Sequence, residues 1–243
     1  MVSHVSYNTK SFYEIFLHKN MNIFLDFDDT LFHTAHFRED MKKVFESCGV
    51  DDELFQSTYE RVKKRCSPGK ICTYDFDEHL LEIKKIRHVD LKNIRKQVDI
   101  FLEKAGKYFF DDTIDFCVAM RLMGARIYIV SYGTSSFQEK KVIASGIGNF
   151  VDVLCVGDID KGKEIQKILS VSNKETSWFV EDRIEHIQSV KEKNPSVQTI
   201  LLKRREGRYD DTMSVFCDFE ARTMEEVGEI IRSKEVFREY IEK

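Results

Sequence analysis

The sequence predicts an α/β protein, a doubly wound parallel sheet with a helical segment inserted after its first strand. Three observations carry that expectation. Short apolar runs at 22–26, 125–131, 151–156, 177–181 and 197–202 read as strands. The last four alternate with stretches of helical period, the rhythm of strand–helix–strand units in a parallel sheet. Between the first two, the chain is helical in pattern and has little strand character.

Taken in order, the first strand is followed by an insert in which Met41, Val44, Phe45 and Cys48 fall at i, i+3, i+4 and i+7, with Gly49 as a C-terminal stop. Ser67, Pro68, Gly69 and Lys70 form a turn, and Leu91, Ile94, Val98 and Phe101 make a second apolar stripe. Gly124 stands where a helix ends and the strand at 125–131 begins. A short helix is expected at 137–145. Ile165, Ile168 and Leu169 mark the next helix, and Ile184, Ile187 and Val190 the one after. The tail holds a charged loop at 204–211, an apolar stretch at 215–219 and a last helix from about Met224. The expected division is a core of 1–34 and 108–243 and a helical cap of 35–107.

The 243 residues are 42% hydrophobic and 33% charged, a globular rather than a disordered composition. A formal net charge of −4 gives no broad basic footprint, so no nucleic-acid partner is expected. No apolar run is long enough to span a bilayer, and the first residues lack a charged start followed by an apolar block. The six cysteines lie scattered without a CxxC pair and read as reduced, mostly buried small hydrophobes. A cytoplasmic location with no membrane partner is the expectation.

The strongest chemical signal is Ile23-Phe24-Leu25-Asp26-Phe27-Asp28-Asp29-Thr30-Leu31, an apolar strand running into three carboxylates. Like charges a few ångströms apart repel. A hard divalent cation with oxygen ligands is the usual way to offset that. The plainer alternative is an acidic turn whose aspartate caps the next helix, but the apolar lead-in and the Thr-Leu-Phe exit are more specific than that.

At these residues the chain resembles the haloacid dehalogenase-like (HAD) superfamily of phosphohydrolases, whose first motif is DxDx(T/V) after a first strand. The resemblance implies the family's Rossmannoid core and an Mg²⁺-dependent phosphomonoester phosphatase. Asp26 would be the nucleophile that forms an aspartyl-phosphate. Asp28 would protonate the leaving oxygen and then activate water, and its backbone carbonyl would bind the metal. The dehalogenase branch lacks this second aspartate. Thr30 would hold the loop by hydrogen bonding.

The family's second motif matches Ser131 at the end of the strand 125–131. It implies that Ser131 binds a phosphoryl oxygen, with Tyr132 beside it at a position where many relatives carry Asn. The motif lysine is assigned to Lys161, in Lys161-Gly162-Lys163, with Lys163, Lys140 and Lys141 as competitors. The fourth motif falls on Glu181-Asp182-Arg183, with Asp182 the leading metal ligand and Glu181 the second. Asp158, in Gly157-Asp158, is the alternative to that pair. The implied set is Mg²⁺ on Asp26, the Asp28 carbonyl and Asp182, with a small phosphorylated metabolite as substrate. A phosphomutase, or a non-catalytic HAD-like binding protein, would carry the same motifs.

Smaller features have plainer readings. The stretch from Tyr74 to His79 imitates the acidic motif but reads as a loop capping a helix. His33 and His36 read as hinge residues, and Lys63, Lys64 and Arg65 as a solvated helix face. Residues 12–17 are apolar enough to pack on the core or a partner.

Overall fold

The computed structural model describes residues 21–63, 74–133, 135–158, 160–171 and 176–241. The apolar stretch at 12–17, the turn at 67–70, Lys64, Arg65, Cys66 and Cys72 lie outside the described residues.

Strand β1 (Met21–Leu25) runs into the loop that carries the acidic cluster. Helices α1 (Thr34–Ser47), α2 (Asp52–Lys63), α3 (Phe76–Ile86) and α4 (Leu91–Leu102) follow before the chain returns to the sheet. A 3₁₀ turn at Ala105–Tyr108 and helix α5 (Thr113–Leu122) lead into β2 (Ala125–Tyr132). The remaining elements are α6 (Ser135–Ala144), β3 (Val153–Gly157), α7 (Lys161–Ser170), β4 (Thr176–Glu181), α8 (Ile184–Lys193), β5 (Gln198–Leu202), β6 (Phe219–Ala221) and α9 (Met224–Ile241).

The sheet order is β3-β2-β1-β4-β5-β6 and every pairing is parallel. Because successive side chains on a strand point to opposite faces, the apolar runs feed two cores. Ile23, Leu25, Ile127, Ile129, Trp178 and Val180 face one side, and Phe24, Tyr128, Val130, Phe179 and Leu201 the other. Helices α7 and α8 cover the second face through Ile165, Ile187 and Val190. The first face is covered by α5, α6 and α9, and its apolar cluster runs on without a break into the insert through Phe37, Phe45, Phe55, Leu80 and Ile94. Burial on both faces accounts for the near-continuous apolar strands.

The expected stops are present. Gly49 and Gly124 adopt φ of 84° and 82°, the left-handed conformation that ends helices at glycine. Asp75 caps α3 by accepting from the Glu78 amide at 2.9 Å. Two expectations need adjusting. The third strand begins at Val153 rather than at 151, and the stretch at 215–219 leads into a sixth strand that the sequence pattern did not mark. Of the cysteines, Cys117 and Cys217 are buried while Cys48 and Cys155 are partly exposed, and all four are free thiols.

Candidate active site

In an open parallel sheet, the carboxyl ends of the central strands splay apart where strand order reverses, leaving a crevice for ligands. Here β1 lies between β2 and β4, so Asp26, Ser131 and the Glu181–Asp182 pair all arrive at that edge. The Asp26 amide continues the ladder by donating to the Val180 carbonyl at 3.0 Å, which fixes where its carboxylate stands. A cavity of about 150 Å³ opens there, between the strand ends and helices α1 and α2 of the insert.

Lys161 is the first residue of α7, behind an Asp160 cap that accepts from the Lys163 amide. Its ammonium donates to Asp26 Oδ1 and, at 2.6 Å, to Glu181 Oε2. All three side chains are buried. The glycine after it has a steric reason: a Cβ on Gly162 would stand 2.4 Å from the Ser189 carbonyl oxygen, so α7 and α8 approach this closely only at glycine. Burial, then the Glu181 charge, pushes the Asp26 carboxyl up to about 7 against the lowering pull of Lys161. Burial acts most strongly and would raise Glu181, but the Lys161 charge, His186 and hydrogen bonds with Asp182 and Lys161 together hold that carboxyl low.

Asp28 is held by a different set. The Lys141 ammonium donates to both carboxylate oxygens, at 2.6 and 2.9 Å. Thr34 Oγ1 donates to Oδ1 at 2.8 Å, and Gln138 Nε2 to Oδ2 at 2.7 Å. Burial works to raise the Asp28 carboxyl, yet the Lys141 charge and hydrogen bonds bring it below the ordinary range. Lys141 itself lies 5.6, 5.3 and 5.6 Å from the ring centres of Phe27, Phe32 and Phe37, an aromatic cage that favours a cation.

Carboxylate oxygens of Asp26, Glu181 and Asp182 all lie within 4.8 Å of one another. Asp182 Oδ2 is buried and has no hydrogen-bond partner among the described residues. Burial, then the charges of Glu181 and Asp26, pushes the Asp182 carboxyl well above its usual range. A buried oxygen without a donor, beside two more carboxylates, fits a hard divalent cation. Asp158, just past the end of β3, is exposed and does not line the cavity, so the Glu181–Asp182 pair is the one brought to Asp26.

Several expected residues sit differently. Ser131 is buried at the end of β2 but is not among the residues lining the cavity; Gln138 lies there instead and donates to Ser131 Oγ at 2.9 Å. Tyr132 does line it. The Thr30 hydroxyl, expected to brace the loop, is buried with no partner among the described residues. Bracing comes from elsewhere: the Thr30 carbonyl accepts from Arg204 Nε and Nη2 at 3.1 and 2.9 Å. Asp29 has φ of 60°, a conformation aspartate tolerates, and its buried carboxylate pairs with Arg208. Lys163 is exposed, and Lys140 pairs with Asp99 at 3.1 Å on the surface.

Lys63, read as part of a solvated face, lines the cavity, as do Arg38, Arg183 and Arg208. His33 caps α1 by accepting from the His36 amide at 3.3 Å, and the two rings stack 3.5 Å apart, which keeps both at the hinge into the insert. Gln138, Lys141, Arg204 and Arg208 were not singled out for these roles. The signals were there only weakly: Gln138 and Lys141 are three apart and so share a face of the helix after β2, and the two arginines sit in a charged loop.

No family model and no curated protein matches the chain in sequence. Solved structures do. A haloacid dehalogenase-like hydrolase from Burkholderia xenovorans superposes with a TM-score of 0.64 at 13% identity, over 87% of this chain and 96% of that one. The magnesium-bound HAD-hydrolase YfnB from Bacillus subtilis gives 0.62 at 15%, over 88% and 99%. CbbY from Rhodobacter sphaeroides, in complex with phosphate, gives 0.56 at 16%, over 86% and 96%. The likeness is one of fold, and the fold is that of the haloacid dehalogenase-like hydrolases.

Proposed function

We propose that this chain, having the haloacid dehalogenase-like fold, is a Mg²⁺-dependent phosphomonoester phosphatase acting on a small phosphorylated metabolite. One observation carries the reading above the rest: Asp26 stands at the cavity floor, held by Lys161 and faced by Glu181 and Asp182, while Asp28 is fixed separately two residues on. A binding scaffold has no use for two carboxylates positioned independently. The presence of Asp28 favours phosphate over halide chemistry, although haloacid dehalogenases are among the structures that share the fold.

In enzyme that carries a proton on Asp28, Asp26 attacks phosphorus, and the bond to the leaving oxygen breaks as that oxygen takes that proton; the Lys141 charge keeps this form a minor one and favours Asp28 as the base of the second step. Water then attacks the aspartyl-phosphate while giving a proton to Asp28; the Asp26–phosphorus bond breaks, and phosphate leaves with the nucleophile restored. Proton transfer by a placed group of this kind typically contributes about 10²–10⁴-fold. Lys161 aims Asp26 and pulls its carboxyl down against burial and the Glu181 charge, which still leave it at about 7. Lys141, Thr34 and Gln138 keep the Asp28 carboxylate where that proton moves. Gln138, at the cavity wall, spends its two amide hydrogens on Asp28 Oδ2 and Ser131 Oγ and so ties the two residues together. Asp26, the Asp28 carbonyl and Asp182 would hold the Mg²⁺, with Glu181 beside them. Bound there, the ion would neutralise charge on the phosphoryl oxygens. Enclosure by the insert's helices excludes bulk water and large substrates.

The test is phosphate release from a panel of phosphorylated metabolites and an aryl phosphate, with Mg²⁺ or with chelator, for wild type and Asp26→Asn. Metal-dependent release that disappears in a folded Asp26→Asn variant is expected. Turnover that survives the substitution would sink the mechanism. Transfer between two sugar positions without phosphate release would instead identify a mutase.

A further inference from the structure

The charged groups of the cavity wall are already engaged. Lys161 and Lys141 bond the reacting carboxylates, and each lining arginine has an acid partner of its own. Most of the neutral polar groups are spent as well: Thr34 and Gln138 donate to Asp28, and the Tyr74 hydroxyl bonds to His79. Two are not. Tyr59 on α2 and His186 on α8 both line the cavity, and both are more than nine-tenths buried, at 5% and 7% exposure. Neither makes a hydrogen bond among the described residues.

A buried hydroxyl or imidazole left without a partner is destabilising, so two of them at one cavity favour a ligand that fills both. The ring faces of Tyr59 are taken, by Tyr74 at 5.0 Å and by the cations of Arg38 and Lys63 at 5.6 and 5.8 Å. What Tyr59 has left for the cavity is its hydroxyl edge. His186 stands beside the reacting groups: the charges of Lys161 and Glu181 act on it, and the Tyr132 ring at the end of β2 lies 6.0 Å away. Burial and then Lys161 lower its pKa to about 4, so near neutral pH the ring is uncharged, with one N–H donor and one acceptor nitrogen. A tyrosine hydroxyl also both donates and accepts. The group that complements such a pair is another hydroxyl, since an ionised carboxylate or phosphate oxygen only accepts. Phe37, Met41 and Phe137 supply apolar wall to the same cavity, and a carbon skeleton fits against them.

We infer that Tyr59 and His186 are specificity residues for the leaving alcohol, and that the substrate is the phosphate ester of an alcohol bearing further hydroxyl groups. This rests on the phosphatase reading for the bond that is cut, but not for the recognition of hydroxyls. His186 bonds a hydroxyl near the ester and Tyr59 one towards the insert, while the skeleton between them lies on the apolar wall.

Two matched pairs of esters test it: propyl phosphate against glycerol 1-phosphate, and cyclohexyl phosphate against myo-inositol 1-phosphate. For wild type, kcat/KM for the hydroxylated ester should exceed that of its plain counterpart by at least about tenfold in one pair or both, the scale of leaving one buried polar group unpaired. The pair that shows it gives the size of the alcohol. Tyr59→Phe loses only the hydroxyl, and His186→Phe keeps a ring beside Tyr132; in each, the hydroxylated-to-plain ratio should fall by about tenfold. His186→Asn, which restores a donor and an acceptor, should keep more of the ratio than His186→Phe. Equal kcat/KM within both pairs in wild type would overturn the inference while leaving the phosphatase standing, and so would a ratio that survives both phenylalanine variants. If no ester is cut, calorimetry with the same four esters decides. Tighter binding of a hydroxylated ester that weakens in Tyr59→Phe keeps the recognition and removes the phosphatase reading; equal binding within both pairs removes the recognition too.

Discussion

Lys140 and Lys141 are neighbours in sequence and opposites in role, because adjacent helical positions point about 100° apart. Lys140 pairs with Asp99 in solvent at 3.1 Å, and both side chains are exposed. Lys141 is buried, caged by phenylalanines and bonded to both oxygens of Asp28. It acts through Asp28 and is a positioning residue. Lys141→Met frees that carboxylate to move by an ångström or more, and a misplacement of that size costs about 10²-fold. We expect kcat to fall by about that factor, KM to change much less, and Lys141→Arg to recover part of the loss, whereas Lys140→Met leaves both constants near wild type. Steady-state kinetics on one good substrate reads all three variants, and an unchanged kcat in Lys141→Met would remove the positioning role. The same pair shows why the sequence left four lysines in competition. Spacing from an acidic motif locates a helix, but which lysine turns inward is settled by packing against Phe27, Phe32 and Phe37, residues more than a hundred positions away.

At the scale of elements, the long periodic segments were readable and the short or charged ones were not. Apolar runs buried on both faces gave five strands, and stripes such as Leu91, Ile94 and Val98 gave the insert's helices. Strand β6, three residues with one buried, has too little pattern to stand out, and it exists because β5 offers it an edge. The loop after β5 reads as solvated charge, yet Arg204 and Arg208 reach back to the nucleophile loop, a long-range pairing no local pattern encodes. The insert also hides a titrating group. His79 on α3 is fully buried; its Nε2 donates to the Phe55 carbonyl at 3.2 Å, so Nδ1 accepts from the Tyr74 hydroxyl at 2.9 Å. Burial lowers its pKa from 6.5 to about 4. The unfolded chain therefore takes up the proton first, and stability declines as pH drops from about 6.5 towards 4, with no effect above that window. At pH 5 the loss is on the order of 2 kcal/mol from this residue. His186, lowered to about 4 by burial and then by Lys161, adds to the same trend. Denaturant unfolding of wild type and His79→Gln at pH 7.5 and pH 5 isolates the His79 share. A smaller drop in the variant is expected, and equal drops would show that His79 does not titrate as its burial implies.

For the molecule as a whole, the fold gathers charge at one edge and leaves the balance to ligands. One apolar cluster joins the insert to the sheet, so the cavity between them is walled by a continuous core. Into that wall the strand ends place Asp26, Glu181 and Asp182, buried and mutually repelling, with Lys161 bonded to the first two. Asp182 gains least from the lysine, and its pKa is pushed well up by burial and by the other two carboxylates. A divalent cation that binds the folded chain and not the unfolded one stabilises by mass action, about 2.7 kcal/mol at a hundred times its Kd. For a chain of this size that is a rise in melting temperature of roughly 5–10 °C. Mg²⁺ added to chelator-treated protein should produce a saturable shift of that order. In Asp182→Asn the starting point should not fall, since a repelling carboxylate has become a neutral amide, while the Mg²⁺ shift should largely vanish. The two effects separate the metal site from ordinary structural damage: a variant that merely unfolds more easily would start lower and keep its shift. A full-sized shift in Asp182→Asn would place the ion elsewhere in the molecule.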